Sequence, residues 1–504
     1  MTARPHDLAG RTLAGAGWLI ASRLGTRSID FVGLLLLANL LLPTDFGMVA
    51  VALTLVQIVE AIFEIPITQV LVRSEAITPD LLDTAFTIGL LRGGTLTLAL
   101  AALAWPFAIV FHDPRLVPLI GFLSLAPAMR GLTSPAMAHY ARAIDFRRDL
   151  LIEVIGKAVA LGCSVPLAIA TRSYWALATA TVAGPVAMMA LSYWFAPYHP
   201  RWSLARWGVF SHFVGWMTAS QTIGALNWQI DRLLLARFVG KAELGSFSLA
   251  GDLAAIPDQA MIKPTARPLL GAFAALQGDA GRLSRAYARS VGMMLTAGLP
   301  IALGLSLLAE PVVRLALGPK WQACWPMLQW LALPLIPAMI TAPLGSLAMS
   351  TGRTETIMHR NVVELVLKIP LIFAGAYYYG TFGLIAGRLT SAVLVLVFCT
   401  WLVTRLTRLT IVEQLLGLWR PLGAGGAMVL ALFALRPLLH GLHGIPLGIG
   451  LAGCGGTAVA CYLAALFGLW LAYGRPPGVE TMIVDLLDHL RNRFRRFTGS
   501  HPAR

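Results

Sequence analysis

The segment LLLANLLLPTDFG at residues 35–47 recurs as LLLARFVGKAELG at residues 233–245, 198 positions later. Pro66 and Pro264 keep the same offset. Chance similarity between Leu- and Ala-rich helices is the alternative, because the two segments share only five identities in 13 positions. The repeat predicts a membrane module duplicated in tandem, an arrangement typical of transporters that bind their substrate where the repeats meet.

The composition is that of a chain buried in lipid. Apolar residues make up 57% of the 504 residues and charged residues 12%, whereas a soluble domain has about 25% charged residues. Fourteen apolar runs are long enough to cross a hydrocarbon layer about 30 Å thick. Their predicted cores are 15–41, 46–71, 85–111, 117–138, 151–170, 174–196, 213–237, 246–267, 290–313, 323–349, 362–379, 382–403, 420–438 and 447–472.

The distribution of basic residues predicts the orientation. Most of the Lys and Arg residues in the loops and tails lie on one side of the membrane. Cytoplasmic loops carry an excess of these residues, so that side and both termini are predicted to be cytoplasmic. This topology also explains the net charge of +15 without a nucleic-acid partner. The five cysteines have no metal or disulfide spacing, and we expect no metal and no cofactor.

Six spans precede the second copy of the repeat, so the two copies are predicted to be parallel. We expect an all-α polytopic membrane protein with about 14 transmembrane helices, in two parallel six-helix lobes and a C-terminal pair. The predicted domains are an amino-terminal lobe at 1–200, a second lobe at 201–410, accessory helices 13 and 14 at 411–475, and a cytoplasmic amphipathic basic tail at 476–504.

Charged residues within the predicted spans are the candidate site, because a charge at bilayer depth is costly unless it is paired, hydrated or bound to a ligand. Arg23, Arg27 and Asp30 share one face of the first span, and their excess positive charge suits an anionic ligand. Arginine donates paired hydrogen bonds to phosphate oxygens. The predicted cationic, substrate-binding cavity for a lipid-linked diphosphate contains Arg23, Arg27, Arg130 and Arg232.

Other intramembrane charges receive different predicted roles. Acidic residues are expected either to balance the charge of the empty site or to carry a coupling proton or sodium ion. These residues are Asp30, Glu60, Glu64, Asp231 and Asp252. Glu153 and Lys157, spaced i, i+4, recur as Glu364 and Lys368, and both pairs are interpreted as structural ion pairs.

Three segments carry a resemblance to a known family. They are IDRLLLARFVGKAELGSFSLA at 230–250, LGPKW at 317–321 and STGR at 350–353. In these and in its hydropathy, essentially the whole chain resembles the Wzx-type oligosaccharide flippases of the multidrug/oligosaccharidyl-lipid/polysaccharide exporter superfamily. The resemblance implies a V-shaped carrier of the bacterial inner membrane. It would move undecaprenyl-diphosphate-linked oligosaccharides to the periplasmic leaflet for surface polysaccharide or lipopolysaccharide synthesis, alongside a polymerase and export machinery.

Two alternatives stay open. An ion-coupled drug or metabolite exporter of the same superfamily would favour acidic and aromatic residues in its site, whereas the first span is net basic. A polysaccharide polymerase or ligase would need a large periplasmic loop with catalytic groups, and the predicted outer loops are short. We therefore expect a transporter with no catalytic residues rather than an enzyme.

Overall fold

The protein is built from helices, as a computed structural model describes it for residues 25, 28–74, 76–143, 145–474 and 479–481. These residues contain no β-strand, which confirms the predicted all-helical fold. The chain divides into two compact units, residues 1–248 and residues 249–504.

The described part of the first unit contains ten helices and the start of an eleventh. Pro43 and Pro79 occupy the first turns of two of them, where a missing N–H costs nothing. The helices are α1 (Ser28–Leu40), α2 (Pro43–Ile62), α3 (Ile67–Arg73), α4 (Pro79–Val110), α5 (Leu116–Leu123), α6 (Leu125–Gly131), α7 (Ala138–Arg142), α8 (Arg147–Thr171), α9 (Trp175–Phe195), α10 (Trp207–Phe238) and α11 (Lys241–Pro257).

In the second unit a π-helical turn, Asp258–Ile262, joins α11 to α12 without a break. The helices that follow are α12 (Lys263–Ala274), α13 (Ala280–Leu307), α14 (Ala309–Ala316), α15 (Cys324–Leu331), α16 (Leu335–Thr341), α17 (Pro343–Ser350), α18 (Glu355–Leu406), α19 (Ile411–Leu416), α20 (Trp419–Leu435) and α21 (Gly444–Ala472). The last two helices pack against α13. Because Gly425 of α20 has no side chain, Leu299 of α13 can pack directly against its backbone.

The long helix α18 is a hairpin of two antiparallel segments. Gly380 has φ 61° and ψ −143°, a backbone conformation that side chains disfavour. A β-carbon at Gly375 would overlap the carbonyl oxygen of Gly383, and one at Gly383 would overlap that of Gly375. These glycines therefore permit the direct backbone contact that folds predicted spans eleven and twelve back on each other.

Nine helices in the described ranges are long and apolar enough to cross a membrane, and a bent pair, Leu116–Gly131 with Pro135–Arg142, makes a tenth. The hairpin α18 is one of the nine. Predicted spans seven and eight fall on α10 and on α11–α12, which are helical but more polar, and the first span is described only from Ser28. The fold is thus a multi-span membrane fold, and the number fourteen stays a prediction.

Candidate functional site: a row of paired charges along α2

One face of α2 carries three polar side chains, Gln57, Glu60 and Glu64, spaced i, i+3 and i+7. Each of them meets a different helix of the first unit. Gln57 accepts a hydrogen bond from Gln229 of α10, Glu60 pairs with an arginine of α6, and Glu64 pairs with an arginine of α4. This polar face of α2 is therefore a row of contacts that tie the helix to its neighbours.

The Glu60 pair has the geometry of a two-pronged salt bridge. Arg130 Nη2 donates to both carboxylate oxygens, at 2.7 and 3.0 Å, and Arg130 Nε lies 3.1 Å from Glu60 Oε1. The Arg130 side chain is 45% exposed and Glu60 20%. Because this guanidinium faces open space while holding a carboxylate, an incoming phosphate oxygen can reach it.

The Glu64 pair is more enclosed. Arg92, whose side chain is 9% exposed, pairs with Glu64 and also donates from Nε to the carbonyl oxygen of Phe63 at 2.8 Å. That carbonyl belongs to the C-terminal cap of α2. Arg92 was not a predicted binding residue. Its two contacts with the C-terminal end of α2 hold α4 against α2.

Lys157 of α8 joins two of the predicted acidic residues. Its Nζ lies 2.7 Å from Asp30 Oδ2 of α1 and 3.1 Å from Glu153 Oε1 of its own helix. The sequence suggested only the pair within α8, because Asp30 is 127 residues away in the chain. The ammonium group is thus shared by a predicted charge-balancing residue and a predicted structural one.

Replacing Lys157 by methionine is expected to lower the thermal stability of the purified protein. The change leaves Asp30 and Glu153 without their shared cation, at a cost of about 1–3 kcal/mol once partial exposure is allowed for. The check is a melting curve in detergent micelles. Lys157→Arg should retain most of the stability, and a methionine variant as stable as the unmodified protein would contradict the shared-pair interpretation.

Three further predicted residues, Asp231, Arg232 and Asp252, lie on α10 and α11. Asp231 is 3% exposed in α10 beside the buried Asn227, and Arg232 Nη2 lies 3.4 Å from the carbonyl oxygen of Ser248. Asp252 is exposed in α11.

In the second unit, Glu364 pairs with Arg360 at 3.3 Å, one turn earlier in α18, and Lys368 is buried. Arg360 was not among the predicted partners.

The predicted excess of positive charge depends on residues outside the described ranges. These residues are Arg23 and Arg27. The pairs along α2 and the separate group around Lys157 together hold three cations and four anions. The cations are Arg92, Arg130 and Lys157, and the anions are Asp30, Glu60, Glu64 and Glu153. The described ion pairs therefore do not by themselves supply an excess of positive charge.

The two copies of the repeated segment contact each other reciprocally. A β-carbon at Gly47 would overlap the carbonyl oxygen of Lys241, and one at Gly245 would overlap the carbonyl oxygen of Pro43. Residues 43 and 241 occupy equivalent positions in the repeat, and so do residues 47 and 245. Such a reciprocal pattern is what a twofold axis between two copies produces.

A buried carboxylate adjoins this contact. Asp113, which follows α4 and is 4% exposed at its side chain, pairs with Lys241 and with Arg115. Arg115 Nε lies 3.1 Å from Asp113 Oδ1. Sequence reasoning missed this ion pair, because the partners are 128 residues apart and lie in different predicted loops.

Known proteins with similar sequences act in polysaccharide production. The chain is 25% identical over 444 residues to the lipopolysaccharide biosynthesis protein WzxC of Escherichia coli, covering 86% of this chain and 89% of that protein. It is 28% identical over 319 residues to the succinoglycan biosynthesis transport protein ExoT of Rhizobium meliloti, covering 63% of this chain and 65% of that protein.

Solved transporter structures share the fold. The lipid II flippase MurJ in an inward closed conformation gives a TM-score of 0.70 at 12% identity, over 90% of this chain and 99% of that one. An inward-facing multidrug transporter of the same superfamily gives 0.61 at 13% identity, over 77% and 98%.

The family match covers more than half of the chain, at residues 36–326, and its description is polysaccharide biosynthesis protein. It confirms the resemblance inferred from the sequence, and the fold is that of the flippases and multidrug transporters. This chain belongs to the polysaccharide biosynthesis protein family.

Proposed function

We propose that the protein is an inner-membrane flippase, with both termini in the cytoplasm. It moves undecaprenyl-diphosphate-linked oligosaccharides from the cytoplasmic to the periplasmic leaflet for surface polysaccharide synthesis. The observation that carries the proposal is the exposed Arg130–Glu60 pair within the predicted spans of a transporter fold. The names of the relatives, which include a lipopolysaccharide biosynthesis protein and a succinoglycan transport protein, support the substrate class.

The diphosphate would compete with Glu60 for Arg130. A diphosphate oxygen can accept the same parallel hydrogen bonds that the carboxylate accepts, so the guanidinium exchanges one anion for another. Arg27 and Arg23, one and two turns before Asp30 on the same predicted helix, would add the positive charge that the described ion pairs lack. Charge balance in the empty site then falls to Asp30, Glu60 and Glu64.

Outward movement of an anion is favoured by a membrane potential that is negative inside, by about 2.3 kcal/mol per charge per 100 mV. A coupling ion is thus an addition to an existing driving force. The five acidic residues Asp30, Glu60, Glu64, Asp231 and Asp252 are the proposed candidates for carrying a proton or sodium ion.

We propose alternating access between two six-helix lobes, residues 1–200 and 201–410. The reciprocal contact of the repeated segments would close the outer end of the path. In the predicted topology residues 43–47 and 241–245 both lie on the periplasmic side. Release of the glycan would require this contact to part.

Replacing Arg23 or Arg27 by alanine is expected to abolish export while the protein still inserts and accumulates. Each change removes a cation from a cluster whose described part has more anions than cations. Surface polysaccharide is measured in a strain whose own copy is deleted, with protein abundance measured on the same cells. Normal polysaccharide in both variants would remove the cationic-site proposal.

A cation exporter is the second candidate, because the four described anions outnumber the three cations and the fold is shared with a multidrug transporter. Efflux of a cationic dye such as ethidium distinguishes the two functions. If the protein is a flippase, its deletion leaves dye accumulation in the cells unchanged. If the protein is a dye exporter, its deletion raises dye accumulation.

A further inference from the structure

We propose that a methionine-lined cavity in the second unit binds the free end of the polyprenyl chain of the transported lipid, an inference that rests on the proposed function. The cavity has a volume of about 260 Å³ and lies between the π-helical turn with α12 on one side and α13 with α16 on the other. Four of the chain's 16 methionines line it. These are Met261, Met293, Met294 and Met339.

The cavity offers no hydroxyl proton to a polar ligand. Two hydroxyl side chains reach it, and both are committed to their own helices. Thr265 Oγ1 donates to the carbonyl oxygen of Ile262 at 2.7 Å, and Ser290 Oγ donates to that of Ala286 at 2.8 Å. A cavity without available polar partners stays dry and takes apolar ligands. The chemistry that fits is therefore hydrocarbon.

The volume sets the length of chain. A cavity of about 150 Å³ holds benzene, so about 260 Å³ holds roughly ten carbon atoms, or two isoprene units. Buried Met339 forms the inner wall, whereas Ala297 is exposed at the rim, near the middle of α13. A closed inner wall suits the end of a chain rather than its middle.

The shape of the walls suits a branched chain. Methionine is unbranched and flexible, so a methionine-lined wall adapts to the methyl branches that recur along a polyprenyl chain. The π-helical turn contributes Met261 and Ile262, and π-turns within helices are frequent at functional sites because they disturb regular packing. A straight acyl chain has no branches for these walls to accommodate.

The site is distinct from the paired charges along α2, which bind the headgroup in the proposed function. Those residues lie in the first unit, and the cavity lies in the second. Loss of chain binding should therefore leave diphosphate binding intact.

Photo-crosslinking of the full-length protein in lipid nanodiscs tests the inference. One probe is a polyprenyl phosphate with a diazirine in its terminal isoprene unit, and the other is a phosphatidylglycerol with the same group at the end of an acyl chain. We expect the polyprenyl probe to label residues 261–269 and 290–297 at least fivefold more than the acyl probe. Equal labelling by the two probes, or no label in these segments, would overturn the proposal.

A blocking variant provides the matched comparison. Ala297→Phe should fill the rim and reduce polyprenyl labelling at least tenfold, whereas Ala272→Phe, at an exposed alanine of α12 outside the cavity, should leave it unchanged. Undiminished labelling of Ala297→Phe would also count against the site. If the Ala297→Phe variant does not accumulate, the positions labelled in the unmodified protein by the two probes are sufficient to test the proposal.

The flipping rate separates the two proposals. If the unmodified protein flips its substrate but the cavity is not labelled, this inference is wrong and the proposed function is unaffected. A protein that takes up the label but flips nothing overturns the function.

Discussion

Replacing Gly47 or Gly245 by alanine is expected to reduce export at least tenfold. The added β-carbon would overlap a carbonyl oxygen of the other repeat copy, and no side-chain rotation relieves an overlap with backbone. Forced overpacking costs about 1–3 kcal/mol, and an overlap that only backbone movement can relieve belongs to the upper part of that range, where 1.4 kcal/mol already changes an equilibrium about tenfold. The outward-closed state that depends on this contact should lose population by that factor or more.

Gly251→Ala is the matched control for this prediction. Gly251 lies in the same helix as Gly245, and a β-carbon there would meet nothing within 4 Å. Export should be unchanged or slightly better, because alanine favours the helix. The measurements are surface polysaccharide and a melting curve for each variant. Normal export by both contact variants would show that the repeated segments need not pack this closely.

Replacing Arg130 by glutamine is expected to weaken binding of undecaprenyl diphosphate to the purified protein at least tenfold, while Glu60→Gln is expected to leave binding unchanged or tighten it. Both variants break the same ion pair, so a purely structural pair predicts the same loss for both. A guanidinium that exchanges Glu60 for a diphosphate predicts opposite results. Arg130→Lys keeps the positive charge but loses the planar guanidinium that donates two parallel hydrogen bonds. Its binding should therefore be weaker than that of the unmodified protein and stronger than that of Arg130→Gln.

Titration of a labelled undecaprenyl diphosphate against each variant measures the binding constant, and melting curves measure the shared loss of stability. If Glu60→Gln weakens binding as much as Arg130→Gln does, Arg130 holds helices together and does not contact substrate.

The sequence located the polar faces but not their partners. Spacing in α2 placed Glu60 and Glu64 on one face, since the helical period is fixed whatever surrounds it. Which helix supplies each partner depends on packing between distant segments, so the pairing of Lys157 with Asp30 was not predictable. The hydrogen bond that Arg92 donates to the carbonyl oxygen of Phe63 was likewise not predictable, because no sequence pattern marks a backbone carbonyl as an acceptor.

The lobes that hydropathy and the repeat predict, which meet near residue 200, stay a prediction. The compact units of the structure divide after Ser248. The physical reason is that α10 packs on α2, where Gln229 bonds to Gln57 and Thr222 donates to the carbonyl oxygen of Ala61 at 3.3 Å. The offset of the repeat was nevertheless informative, because it paired residues 43 and 47 with the residues 241 and 245 that contact them.

Flipping by the purified protein tests the central claim most directly. Proteoliposomes are loaded with a fluorescent undecaprenyl-diphosphate-linked oligosaccharide, and an impermeant reagent then quenches the molecules that reach the outer leaflet. We predict that the protein speeds this exposure at least tenfold over protein-free liposomes, and that Arg130→Gln loses most of the gain. Exposure no faster than in protein-free liposomes, from a protein shown to be folded and inserted, would contradict the account.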